Sequence, residues 1–142
     1  MNLSDKIIIV TGGLGLLGKE FVSDIKKRGG IPINLDINNK NDLPNGVLHL
    51  DINDDNSIND AINSVMKKFG RIDGVVNNAF YNPRTNIEQS AMKFEDYSLD
   101  LWNDVVSVNL TGVFLCSQIF GKIMAKQNHF SLTHSHPKFL YE

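Results

Sequence analysis

The chain has 142 residues, the length of one ordinary domain. Fourteen Lys and Arg against sixteen Asp and Glu leave a formal charge of −2, and that near-balance speaks against nucleic acid as a partner. Hydrophobic residues at 42% and charged residues at 21% mark a chain that folds, while a single cysteine, Cys116, allows neither a disulfide framework nor a Cys-based metal cluster.

Lys6 to Thr11 (KIIIVT) is a short β-branched run that stops at Gly12-Gly13, the pattern of a buried parallel strand. A helix is expected from about Leu16 to Arg28, with Leu17, Phe21, Val22 and Ile25 at helical spacing and Gly29-Gly30 as its stop. Ile31 to Asp36 is a second strand with Pro32 near its start, where a lost N–H is tolerable. A polar loop from Asn38 to Gly46 leads to a third strand, Val47 to Asp51. The clearest helical period follows: Ile58, Ala61, Ile62, Val65, Met66 and Phe69, with Asp54 or Asp55 as N-cap and Gly70 as stop.

Ile72 to Asn77 is a fourth strand, Asn78 to Tyr97 a functional loop with short helical turns, and Leu99 to Lys126 a long helix capped by Ser98. Alternating strands and helices predict an α/β fold, a Rossmann-like doubly wound parallel sheet of about four strands that looks incomplete. The N-terminus shows no basic segment followed by an apolar stretch, and no uninterrupted apolar run reaches the roughly 18 residues that span a bilayer. A cytoplasmic chain without membrane contact is the expectation.

Gly13-Leu14-Gly15-Leu16-Leu17-Gly18 is a G-x-G-x-x-G that directly follows a strand and opens a helix. Glycines there permit a tight turn and close backbone approach to a pyrophosphate, and the helix N-terminus faces the phosphates. Asp36 closes the second strand, where a carboxylate accepts hydrogen bonds from ribose hydroxyls and repels a 2′-phosphate. The pattern points to a dinucleotide, with NAD preferred over NADP. An ordinary solvated strand-end aspartate is the bland alternative.

Thr11 with the glycines, then Asn77-Asn78-Ala79, then Val108-Asn109-Leu110-Thr111-Gly112-Val113-Phe114, resemble the short-chain dehydrogenase/reductase family. The resemblance runs from Lys6 to His129, so residues 1–129 are read as the dinucleotide-binding domain and 130–142 as a tail without family pattern. It implies that Gly12, Gly15 and Gly18 line the pyrophosphate, with Gly13 and Leu16 also counted as cofactor-binding, that Asp36 holds the adenosine ribose, and that Asp51 and Ile52 meet the adenine. It also implies that Asn78 and Ala79 lie along the cofactor and that Asn109 is a catalytic asparagine holding a water in a proton relay. A polar residue that caps or kinks the long helix is the structural alternative for Asn109. Phe80 departs from the family, which usually has glycine there. The stretch from Asn77 to Arg84 is also similar to members linked to flagellin modification and bacterial sugar biosynthesis, which implies a substrate-phosphate contact for Arg84; a solvated loop arginine is the other reading.

The family's chemistry is hydride transfer between nicotinamide and a hydroxyl or carbonyl of a small-molecule substrate, with a Tyr-x-x-x-Lys pair and a serine assisting. Tyr81 is followed four positions on by Thr85, Tyr97 by Leu101, and Tyr141 by a single residue, so the pair does not occur in these residues. Two function classes stay open: an oxidoreductase whose catalytic half is missing from this chain, through truncation, a shifted frame or a short variant, and a non-catalytic dinucleotide-binding or interaction module. His129, His134 and His136 lack acidic or Cys companions and are read as tail, with no metal site. The apolar long helix and an unpaired fourth-strand edge, which the tail does not obviously cover, predict a homo-oligomer or a self-associating chain.

Overall fold

A computed structural model describes residues 2–83 and 93–127, and the backbone of Leu132–His134. Strands β1 (Ile7–Thr11), β2 (Ile31–Asp36), β3 (Val47–His49), β4 (Gly74–Asn77) and β5 (Leu132–His134) form one sheet in the order β3-β2-β1-β4-β5. Every pairing is parallel, with Ile9 opposite both Ile33 and Val75. The helices are α1 (Leu16–Lys27), α2 (Asp55–Phe69), α3 (Leu99–Val106) and α4 (Val113–Lys126). The expected parallel strands are all present, and a fifth joins them from the stretch read as tail. Leu132 to His134 pair with Val75 to Asn77, so the expectation of a bare β4 edge is corrected.

β1 alternates between two layers, as the two-residue period of a strand requires. Ile7 and Ile9 enter the main core with Ile33, Leu35 and Val75, and α2 meets them with Ile58, Ile62 and Val65. Cys116, Phe120 and Met124 of α4 complete this layer, and burial pushes the Cys116 thiol up to about 12. On the other face α1 packs over β1 and β2 and buries little beyond Gly18 and Ile25. Leu17, expected on that inner face, is instead 62% exposed.

Asp54 caps α2, its carboxylate accepting the Asn56 N–H at 2.9 Å, and Gly70 ends it in the left-handed region at φ 71°. Ser98 caps α3 by accepting the Leu101 N–H at 3.2 Å. The predicted single long helix is divided by a wider, π-helical turn, Ser107–Gly112, that joins α3 to α4. Leu99–Lys126 is long and apolar enough to span a bilayer by length and composition; its α4 part puts Cys116, Phe120 and Met124 into the core, while α3 buries no residue. The outer face of Leu99–Lys126 leaves Leu99, Trp102, Leu110 and Phe114 more than half exposed.

At the N-terminal edge of the sheet, Asp73 accepts the Ile7 N–H at 2.9 Å and pairs with Lys6 at 3.3 Å and with Arg71. Burial alone would raise the Asp73 pKa, but Arg71, the Ile7 N–H and Lys6 outweigh it and hold the carboxyl below the usual range. Beside it, Gln127 grips Ile72 reciprocally: its amide donates to the Ile72 carbonyl at 2.8 Å and accepts the Ile72 N–H at 3.1 Å.

Candidate functional site: a cleft at the strand switch point

From β1 the chain moves to β2 and β3 on one side, then returns to place β4 and β5 on the other. Loops therefore diverge at the C-terminal ends of β1 and β4, the position where open α/β sheets form ligand crevices. A cleft of about 870 Å³ opens there. Gly12, Gly15 and Leu16 border it from the first turn, Asp36, Asp51 and Ile52 from the ends of β2 and β3, and Asn78 and Ala79 from β4. Gly13, Gly18 and Asn109 are not among the residues that border it.

The glycine turn is held by close backbone packing. Gly12 has φ 66°, and a Cβ there would lie 2.7 Å from the Ala79 Cα. A Cβ on Gly18 would run into the Gly12 carbonyl oxygen and lie 2.7 Å from the Gly13 Cα. Gly15 is the N-cap of α1 and supplies no side-chain cap, and α1 has no acidic residue in its first turn. The first N–H groups of any helix lack an earlier turn to donate to, and the helix dipole is positive there. Those donors open on the cleft, beside the 87% exposed Leu16.

Asp36 is 8% exposed and already engaged. Its Oδ2 accepts the Leu14 N–H at 3.1 Å, and its Oδ1 accepts the Asn38 N–H at 3.0 Å and the Asn38 side-chain amide at 3.4 Å. Asp51 donates its N–H to Ser57 Oγ at 3.0 Å and accepts the Asn53 N–H at 2.9 Å, while Ile52 is buried beside it.

The wall on the β4 side is tied to β1. Thr11 Oγ1 accepts the N–H groups of Asn78 and Ala79, each at 3.1 Å, and the Asn78 amide donates to the carbonyls of Thr11 and Gly12 at 3.1 and 3.0 Å. Asn109, on the π-helical turn, clamps Tyr81: it accepts the Tyr81 N–H at 2.8 Å and donates to the Tyr81 carbonyl at 2.9 Å. Its side-chain amide thus positions the loop after β4, between whose two anchors the 69% exposed Phe80 projects at the cleft. Arg84 lies outside the described residues, as do His129, His136 and the side chain of His134.

The arrangement fits a phosphate-bearing ligand: uncapped N–H donors at one helix start, a turn with glycine at positions 12, 13 and 15, and a carboxylate one strand away. Thr11, Leu14, Asn38 and Tyr81 carry much of this geometry and were not among the expected site residues. Thr11 and Asn38 were within reach of the sequence, as a strand-final hydroxyl beside a glycine turn and as an amide two residues after an aspartate.

A family profile described as enoyl-(acyl carrier protein) reductase matches residues 24–136. Sorbitol-6-phosphate 2-dehydrogenase of Klebsiella pneumoniae is 32% identical over 134 residues, covering 89% of this chain and 50% of that protein. Post-translational flagellin modification protein A of Campylobacter coli is 31% identical, covering 89% and 53%. The 3-oxoacyl-[acyl-carrier-protein] reductase FabG of Thermotoga maritima is 32% identical, covering 93% and 55%. The ligand-free aldohexose dehydrogenase of Thermoplasma acidophilum superposes with a TM-score of 0.79 at 25% identity, over 93% of this chain and 49% of that one. The chain spans about half the length of the curated relatives it matches.

Proposed function

The chain belongs to the short-chain dehydrogenase/reductase family, and from that premise we propose that its cleft binds NAD in preference to NADP, as the cofactor half of a cytoplasmic oxidoreductase. Gly12, Gly15 and the first N–H groups of α1 would receive the pyrophosphate, Asp36 the adenosine ribose, Asp51 and Ile52 the adenine, and Asn78 and Ala79 the flank of the cofactor. Gly13 and Gly18 serve by letting the turn close. When bound, the nicotinamide supplies hydride transfer to or from a hydroxyl or carbonyl carbon. Asn109 contributes as a positioning residue through Tyr81, with the proton-relay role that the resemblance implies.

The observation that carries this reading is the uncapped start of α1 with a buried carboxylate beside it. A 2′-phosphate would meet that carboxylate, and among the described residues no Lys or Arg borders the cleft. Titration calorimetry of the chain with NAD and NADP tests it. NAD binds more tightly, and Asp36→Ala narrows the gap, chiefly by weakening NAD about tenfold. Equal affinities for the two cofactors in the parent chain defeat the preference.

The substrate class we propose is a sugar or sugar phosphate. It is supported by the names of the sorbitol-6-phosphate and aldohexose dehydrogenases, and opposed by those of the acyl-carrier-protein reductases. These 142 residues contain no Tyr-x-x-x-Lys, and positioned acid–base assistance is worth about 10²–10⁴ in rate, so by themselves they bind NAD without turning substrate over. We also propose that copies associate through Leu99, Trp102, Leu110 and Phe114, since each large side chain buried contributes about 1.5–3 kcal/mol. Light scattering after size exclusion at micromolar concentration reads a dimer or larger; a clean monomer removes this part.

A further inference from the structure

The amides of the glycine turn divide into two kinds. Gly12 and Gly13 donate to the Leu35 carbonyl at 2.7 and 3.4 Å, and Gly15 donates to the Gly12 carbonyl at 3.1 Å. Leu14, between them, donates to a side chain, Asp36 Oδ2, at 3.1 Å. Among the described N–H donors from Gly12 to Gly15, Leu14 alone goes to a side chain, while on the acceptor side the Gly12 carbonyl also takes the Asn78 amide at 3.0 Å. The other oxygen of Asp36 is itself fixed, by the main chain and side chain of Asn38, so the carboxylate is held from both sides in a pocket that leaves it 8% exposed.

We propose that Asp36 is a positioning residue for the glycine turn: it fixes the Leu14 N–H, and with it the start of α1, before any ligand arrives. This rests on the dinucleotide reading for its purpose, because the carboxylate that would accept the ribose is then the one that sets the pyrophosphate-binding turn. The two halves of the cleft are coupled through one side chain. A carboxylate suits the task because a charge-assisted acceptor holds a backbone N–H more strongly than a neutral one, and its two oxygens serve Leu14 and Asn38 at once.

Amide hydrogen exchange followed by NMR on the ligand-free 142-residue chain tests the proposal. The readout is the exchange rate of Leu14 relative to that of Ile9 in β1, whose own rate reports any loss of global stability. Losing a hydrogen bond to a charged group corresponds to a rise of about tenfold or more, so Asp36→Ala raises the ratio by at least that factor. Asp36→Thr is read in the same way, since its shorter side chain cannot reach Leu14 while its β-branch suits the strand end. An unchanged Leu14 ratio in either variant, with faster exchange only at Asn38, overturns the proposal. No ligand enters this measurement. A chain that fails to bind NAD, yet whose Leu14 ratio depends on Asp36, supports the positioning role and sinks the dinucleotide reading alone.

Discussion

The two edges of the sheet each carry a buried aspartate, and they are finished differently. At the N-terminal edge Asp73 faces two cations and a backbone N–H, and its charge is neutralised by the protein itself. At the C-terminal edge Asp36 receives N–H groups from Leu14 and Asn38 and, among the described residues, no salt bridge, next to a helix start without a side-chain cap. The same edge also begins α2, whose Asp54 closes it in the ordinary way. One edge is completed for stability. The other leaves positive helix dipole and N–H donors without a side-chain cap at the mouth of α1, and a fold tolerates that where a ligand anion supplies the answer.

The sharpest way to break this contrast is to give α1 the cap that α2 has. Gly15 has φ −66°, an ordinary value, and an added Cβ would meet only the Gly12 carbonyl oxygen at 3.2 Å. Gly15→Asp therefore places a carboxylate over the first N–H groups at modest steric cost. NAD affinity falls by about 100-fold or more, as an anion now occupies and repels from the pyrophosphate position, while stability is kept or rises by up to about 1 kcal/mol. Calorimetry and thermal melting read the two effects separately. Undiminished NAD binding in this variant breaks the assignment of α1 as the anion site.

The opposite edge predicts the converse. Asp73→Asn removes the charge that Arg71 and Lys6 face, and costs about 1–3 kcal/mol of stability at neutral pH with NAD affinity unchanged. The Asp73 pKa is depressed on folding, so its contribution is complete above the unfolded value, about 3.9, and is lost as pH falls through the folded value below it. Acid titration of stability checks the sign: the parent loses stability more steeply than the variant below about pH 4. Parallel acid limbs would show that the carboxylate is not held as the geometry requires.

Much of this was legible in the sequence because it is local. The β-branched run before Gly12, the helical period from Ile58 to Phe69, Ser98 as a cap, an acidic cap at Asp54 or Asp55 and Gly70 as stop are decided within a few residues of themselves. Asp36 was legible for the same reason, since it ends β2, whereas Asn78 and Ala79, just past the end of β4, came from the family resemblance. What was not legible depends on partners distant in the chain. The Asn109 clamp needs Tyr81, 28 residues away, and the Thr11 bridge needs Asn78 and Ala79 at 67 and 68. Strand β5 needs Val75 beside it, since Leu132 to His134 is too short to declare itself. Leu17 follows the helical period yet faces the cleft, because periodicity assigns a face without saying what lies opposite.

The smallest effect is also the control on the whole contrast. Asp54 and the uncapped Gly15 start two helices on the same edge, so if helix starts as such mattered to the ligand, both would affect it. Asp54 accepts the Asn56 N–H, and Asp55 adds a second carboxylate in the first turn of α2. Asp54→Ala removes the cap and costs about 1 kcal/mol, since capping losses fall between about 0.5 and 2. For a chain of this size that lowers Tm by about 2–8 °C. Asp54 is not among the residues that border the cleft, so NAD affinity should stay within about twofold of the parent once the measurement is made well below the melting range. The outcome that would dissolve the distinction is a loss of NAD affinity comparable to that of Gly15→Asp. The two helix starts would then act as one electrostatic unit rather than as a closed end and an open one.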